Sequence, residues 1–71
     1  MTSATRREIF RVLEEISAIS PDVRIGQLIA NLSYIARGPS AESIWDMEDD
    51  QLLAAARKHL EDLRARHASV A

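Results

Sequence analysis

The chain has 71 residues, no cysteine and a formal net charge of −2, so it forms one small domain, residues 1–71, without disulfides or thiolate metal sites. Its apolar fraction of 46% and charged fraction of 28% are typical of a folded domain rather than a disordered chain. Net negative charge disfavours nonspecific nucleic-acid binding, which depends on lysine and arginine. No apolar run approaches the roughly 20 residues that span a bilayer. We expect a cytoplasmic protein without a signal peptide or membrane partner.

The first predicted helix covers about residues 4–19. Ser3 or Thr5 can cap its first turn, and Thr5 followed by Glu8 fits a capping box, in which each side chain binds the other residue's backbone N–H. Apolar residues then recur at three- and four-residue spacing, as in an amphipathic helix. They are Ile9, Val12, Leu13, Ile16 and Ile19.

The second predicted helix covers about residues 21–36. Pro21 ends the first helix and suits the first position of the second, with Ser20 as the N-cap. Helices joined by so short a turn are expected to pack as neighbours. The apolar stripe consists of Ile25, Leu28, Ile29, Leu32 and Ile35. Small residues beside it are expected to pack against the first helix, with a dimer contact as the alternative: Gly26, Ala30 and Ser33.

The third predicted helix covers about residues 47–67 and follows a longer loop. Gly38 provides a left-handed C-cap for the second helix, Ser40 starts one helical turn within the loop, and Asp46 is the predicted N-cap. The fold class is therefore all-α, a small three-helix domain. The predicted core contains Ile9, Leu13, Ile16, Leu28, Ile29, Leu32, Leu53, Ala56 and Leu60.

No pattern of chemistry-bearing residues indicates an enzyme or a cofactor. The acidic run from Asp46 to Asp50 lacks the ligand spacing and central glycine of a calcium loop, and acids are expected in a first helical turn. His59 and His67 are eight residues apart, a poor spacing for one zinc ion. The serines lack a nucleophile-elbow signature. We therefore predict no catalysis, no metal, no cofactor and no small-molecule substrate.

Five residues form the candidate partner surface: Phe10, Arg24, Gln27, Asn31 and Trp45. Phe10 widens the apolar sector of the first helix beyond the ~100° of an ordinary surface helix, which favours a homodimer. The three polar residues share one strip of the second helix and can hydrogen-bond a partner. Aromatic residues and arginine dominate binding hot spots. Alternatively, Trp45 fills the core, the polar strip is solvated, and Phe10 lies under the loop that contains Trp45.

Two stretches resemble a pattern found in short bacterial helical proteins for which no activity is established. They read PDVRIGQLIAN at residues 21–31 and IWDMED at residues 44–49, followed by Leu52 and Leu53. An aromatic residue is more usual in that pattern where Val23 or Ile25 stands here. The resemblance covers most of the chain and implies a bacterial source, but it carries no mechanism.

These features favour a helical protein-interaction module, acting as a homo-oligomer or as an adaptor for another protein. The alternative is an antitoxin-like or DNA-binding regulator that acts through a partner or a dimer. Residues 1–37 carry five bases and four acids, and residues 38–71 carry four bases and seven acids. Because neither half is basic, direct nucleic-acid binding by a single copy is not expected.

Overall fold

The computed structural model describes residues 3–39 and 42–70, which are helical and contain no strand. The helices are α1 (Ala4–Ile19), α2 (Ile25–Arg37), α3 (Ser43–Asp46) and α4 (Asp49–Val70). The all-α prediction is confirmed, and the single-turn α3 is added to the three long helices that the sequence predicts. The predicted turn start at Ser40 lies outside the described residues. Across the described ranges, no helix combines the length and hydropathy needed to cross a bilayer.

α1 starts where one of the two predicted caps places it. The Ser3 hydroxyl accepts a hydrogen bond of 3.2 Å from the backbone N–H of Arg6, which satisfies one free donor of the first turn. The predicted capping box of Thr5 and Glu8 is wrong. Thr5 lies inside the helix, and the Glu8 carboxylate binds arginines of α1 and α4 instead of its own backbone.

The connection between α1 and α2 is a β-turn, so the prediction that α2 begins at Pro21 is wrong. Ser20 ends α1 by donating its N–H to the carbonyl of Ile16, and its own carbonyl accepts from the N–H of Val23 at 3.2 Å. Pro21 therefore occupies the second position of a turn, where its fixed φ is equally suitable. This turn brings Val23 against the core, and α2 starts only at Ile25.

α4 starts later than predicted because Asp46 ends α3 rather than capping α4. The backbone N–H of Asp46 donates to the carbonyl of Glu42. The residue before α4 is Glu48, whose N–H donates to the side-chain oxygen of Gln51 at 2.9 Å while its carbonyl accepts from Leu52. A side chain three residues into the helix thus satisfies the capping residue, which is half of a capping box.

α4 is the helix on which α1 and α2 both pack, whereas α1 and α2 pack far less on each other. α1 runs parallel to α4: Arg6 bonds Asp49 near one end of the pair, and Glu15 bonds Arg64 near the other. α2 runs antiparallel to α4, since Ile35 near its C-terminus lies beside the N-terminal half of α4. The expectation that α1 and α2 pack closely as neighbours is wrong.

The core follows from this arrangement. The buried hydrophobic residues are Ile9, Val12, Ile16, Leu28, Leu32, Ala55, Ala56, Leu60 and Leu63. Six of the nine predicted core residues are among them, but Leu13, Ile29 and Leu53 are only half-buried. Val12 of α1 is buried and Leu13 is only half-buried, because α1 packs mainly on α4 and not on α2. Leu13 and Ile29 are left on facing flanks of α1 and α2.

The small-residue flank of α2 does not pack against α1 as predicted. A Cβ added at Gly26 would meet no heavy atom within 4 Å, and Ala30 is exposed. Ser33 is buried, and its hydroxyl donates to the Ala30 carbonyl at 2.8 Å, so the one buried polar residue among those with described side chains is satisfied within its own helix. Gly38 ends α2, as predicted, but its φ of 92° and ψ of −170° differ from the left-handed helical conformation that the sequence analysis expects. A positive φ is nevertheless a conformation that favours glycine.

Ion pairs line the seam between α1 and α4. Glu8 accepts hydrogen bonds from Arg11 at 2.6 and 2.8 Å and from Arg57 at 3.2 Å. Glu15 pairs in the same way with Arg11 and Arg64. The hydrogen bonds from Arg11, and then those from Arg57, lower the pKa of the Glu8 carboxyl to about 2. The same contact raises the pKa of Arg11.

Truncation of Leu32 tests the core. Leu32→Ala removes a completely buried side chain and should lower the free energy of unfolding by about 2–5 kcal/mol, enough to unfold much of so small a domain. Ile25→Ala, on the same helix but 59% exposed, should change stability by less than about 0.5 kcal/mol. Urea unfolding followed by circular dichroism measures both. Equal effects would contradict the assignment of the core.

The lowered pKa of Glu8 gives a pH dependence of stability. The pKa of Glu8 in the folded protein, about 2, is below its usual value of 4.5. Ionised Glu8 therefore stabilises the fold fully above about pH 4.5, and this stabilisation is lost as the pH falls toward 2. Glu8→Gln should therefore be less stable than the wild type at pH 6, with the difference shrinking toward pH 2. Glu14→Gln, at an exposed position of the same helix, should show no such difference. Urea unfolding between about pH 2 and pH 6 would measure the stability of each variant. A difference between wild type and Glu8→Gln that stays constant over this range would contradict a stabilising role for ionised Glu8.

Candidate functional site

Large hydrophobic side chains remain exposed on several helices. They are Phe10, Ile25, Tyr34, Ile35, Ile44 and Trp45. Single exposed hydrophobic residues are normal on protein surfaces, so exposure alone indicates little. An exposed side chain that continues into an apolar depression is more informative, since contiguous apolar patches mark interaction sites. Phe10 is such a residue.

An apolar groove lies between α1 and α2, with α4 as its floor. It has a volume of about 320 Å³. α1 contributes Ile9, Phe10 and Leu13, α2 contributes Ile29, and α4 contributes Leu52. The groove exists because α1 and α2 both pack on α4 and leave their facing flanks uncovered. We refer to these five residues as the α1–α2 groove.

Phe10 stands at the rim of the α1–α2 groove and is 65% exposed. The alternative prediction that the loop with Trp45 covers Phe10 is therefore wrong. On the helix, Phe10 is roughly 100° from the neighbouring Ile9, which is buried. The aromatic ring thus projects from the α1 flank instead of joining the core.

A second depression, of about 630 Å³, lies where the α3–α4 junction meets the start of α1. Trp45 lines it and is 81% exposed, so the interpretation of Trp45 as a core residue is wrong. Arg6 and Asp49 line both depressions and form an ion pair of 3.0 Å. Phe10 and Trp45 therefore lie on opposite sides of this ion pair. We call the second depression the acidic hollow, since Asp46, Glu48, Asp49 and Asp50 line it.

Most of the acidic run has a local structural role. The carboxylate of Asp49 pairs with Arg6, and that of Asp50 accepts from the backbone N–H of Gln51 at 3.0 Å. Glu48 is the residue that precedes α4. Acids at this end of a helix also interact favourably with the helix dipole. The carboxylates of Asp49 and Asp50 are therefore accounted for by tertiary pairing and by a backbone hydrogen bond in the first turn of α4.

The polar strip of α2 is exposed along its whole length. Arg24, Gln27 and Asn31 are all exposed, and none of them lines the α1–α2 groove or the acidic hollow. Arg24 is the N-cap residue of α2 and makes no side-chain capping bond. The structure thus separates the five candidate residues into three places: the groove, the hollow and the outer surface of α2.

The histidines lie on α4, where His59 is half-buried and His67 is exposed. Within residues 3–39 and 42–70, no three histidine, aspartate or glutamate side chains converge in an arrangement that could hold a metal ion.

Two residues of the groove, Leu13 and Ile29, belong to the core that the sequence predicts. Each has core spacing on its own helix, and the missing information is the rotation of each helix about its axis. The pair of Arg6 and Asp49, 43 residues apart, carried no local signal at all. Comparisons with known protein families, with curated proteins and with solved structures find no match to this chain.

The sole tryptophan reports directly on the acidic hollow. Because Trp45 is exposed beside Asp46 and Glu48, we expect acrylamide to quench its fluorescence strongly in the folded protein. Relative to a free tryptophan derivative in the same buffer, caesium quenching should be enhanced and iodide quenching reduced, since the acids attract cations and repel anions. The double variant Asp46→Asn with Glu48→Gln removes two of these negative charges, so it should reduce the effect of local charge on quenching by both ions. Weak acrylamide quenching would contradict the exposed position of Trp45.

Proposed function

We propose that this protein is a helical protein-interaction module that acts by self-association through the α1–α2 groove. The observation that carries the proposal is the position of Phe10, an exposed aromatic side chain beside an apolar groove that is not filled by its own chain. One surface therefore offers both a projecting side chain and a site that can accept one. Interfaces of this kind are anchored by aromatic residues in apolar pockets.

The composition of the groove supports binding of an apolar side chain rather than of a small molecule. Its walls are aliphatic and aromatic, and the two polar residues that border it, Arg6 and Asp49, are already paired with each other. Small-molecule sites add several convergent polar groups that fix the orientation of the ligand. A binding role without catalysis agrees with this chemistry.

A regulator that contacts DNA is the second candidate, and the exposed strip of Arg24, Gln27 and Asn31 is the observation in its favour. These residue types can read base edges when a helix enters the major groove. The strip has only one cation, so phosphate contacts would have to come from elsewhere. Such a role would require a dimer or a partner protein, and self-association through the α1–α2 groove would supply the dimer.

Sedimentation equilibrium of wild type and Phe10→Ala at tens of micromolar tests the proposal. The wild-type mass should rise with concentration from the 7.9 kDa of a single chain toward twice that value. Phe10→Ala should remain near 7.9 kDa, because the anchoring side chain is lost. Its stability as a monomer should be nearly unchanged, since Phe10 contributes little to the core.

Tyr34→Ala is the matched control. Tyr34 is 61% exposed, close to the 65% of Phe10, but it does not line the α1–α2 groove. Its truncation should leave the concentration dependence of the mass as it is in the wild type. A wild-type protein that stays at 7.9 kDa up to several hundred micromolar would rule out the proposed function.

A further inference from the structure

The charges of α1 fall into two groups. The helix carries six charged side chains: Arg6, Arg7, Glu8, Arg11, Glu14 and Glu15. Four of these form ion pairs with each other or with α4. Arg7 and Glu14 are exposed, and neither forms an ion pair with any residue in the described part of the chain. Of the six charged side chains of α1, the two that form no ion pair within the described residues are thus one cation and one anion.

Arg7 and Glu14 flank Phe10 on the same side of α1. They are three residues before it and four residues after it, so all three side chains lie within a sector of roughly 60°. Along the helix axis, Arg7 is about 4.5 Å to one side of Phe10 and Glu14 about 6 Å to the other. The exposed aromatic side chain is therefore placed between two opposite charges at nearly equal distances.

We infer that two copies of this chain pair through α1 in antiparallel orientation, with a twofold axis beside Phe10. In this arrangement, Arg7 of each copy faces Glu14 of the other, and each Phe10 enters the α1–α2 groove of the other copy. The inference rests on the proposed function and adds the partner surface, the orientation and the register. The two charged pairs form the rim of the contact, and the two Phe10 rings form its apolar centre.

Several observations favour a second copy in this orientation as the occupant. A twofold contact requires a self-complementary surface, and this surface contains both the projecting ring and the groove that accepts it. Antiparallel pairing places each cation against an anion, whereas parallel pairing would place Arg7 against Arg7 and Glu14 against Glu14. The dipoles of the two α1 helices also oppose each other when the helices are antiparallel.

Charge reversal tests the register. Arg7→Glu and Glu14→Arg each turn both rim pairs into repulsive pairs, so either variant alone should dimerise roughly tenfold more weakly than the wild type. The double variant Arg7→Glu with Glu14→Arg should recover the wild-type dissociation constant. An equimolar mixture of the two single variants should also recover it, because each chain then carries the charges that complement the other. Raising the salt concentration should shrink all these differences.

Lys58→Glu is the matched control, since it reverses an exposed charge of α4 on the opposite side of α2, beside Ile35. It should dimerise like the wild type. Circular dichroism checks that every variant is folded, which we expect because the substituted side chains are exposed.

Cross-linking provides a readout that does not depend on charge. The chain has no cysteine, so an introduced one reports only on its own position. A mixture of Arg7→Cys and Glu14→Cys chains should form the mixed disulfide faster than either chain forms a disulfide with itself. Antiparallel pairing predicts this preference, and parallel pairing predicts the reverse.

Two negative outcomes are distinguishable. A wild type that dimerises through Phe10 while both charge reversals behave like Lys58→Glu would overturn the antiparallel register and leave the proposed function standing. A wild type that never dimerises would overturn both. Recovery by the mixture, together with the mixed disulfide, would support the register.

Discussion

The structure depends on α4 serving as the packing partner of two helices at once. Ala55 and Ala56 are both buried, and their short side chains let neighbouring helices approach the α4 backbone closely. Val12 and Ile16 of α1 and Leu28 and Leu32 of α2 bury their side chains in the core that α4 completes. Because α1 and α2 both bury their apolar side chains against α4, they make few contacts with each other. The α1–α2 groove is a direct consequence of this division of contacts.

The ion pairs along the α1–α4 seam explain which charges remain available. Exposed pairs such as Glu8 with Arg57 and Glu15 with Arg64 contribute little energy individually. Their repetition at two heights along parallel helices nevertheless favours one register over its neighbours, since a shift by one turn would separate both pairs. The seam uses up the charges on one flank of α1. Arg7 and Glu14, which flank Phe10, form no ion pair within the described part of the chain, and this asymmetry gives the proposed dimer contact its electrostatic pattern.

The sequence was sufficient to predict α1 and most of α4, because apolar periodicity and helix-forming composition agree there. It misplaced the start of α2, since Pro21 suits both a first helical position and the second position of a β-turn. Local patterns also could not show that Glu8 would bind α4 rather than cap α1. The choice between Val12 and Leu13 as the core residue depends on a rotation of α1 that only its contact with α4 determines. For the same reason, the sequence predicts Leu13 and Ile29 as core residues, whereas the structure places them in the α1–α2 groove.

Domain size gives an independent reason to relate the exposed hydrophobic residues to binding. A chain of about 70 residues has a small core and little stability in reserve. The same chain leaves Phe10 and Trp45 exposed, although burying one large aromatic side chain would contribute about 1.5–3 kcal/mol. No steric requirement of the monomer accounts for an aromatic at position 10, because a shorter side chain at the groove rim would leave the core contacts intact. The stabilisation that the monomer forgoes at Phe10 is recovered only when another surface covers the ring. These energetic grounds support the proposed interface, in which a second copy would cover the Phe10 ring.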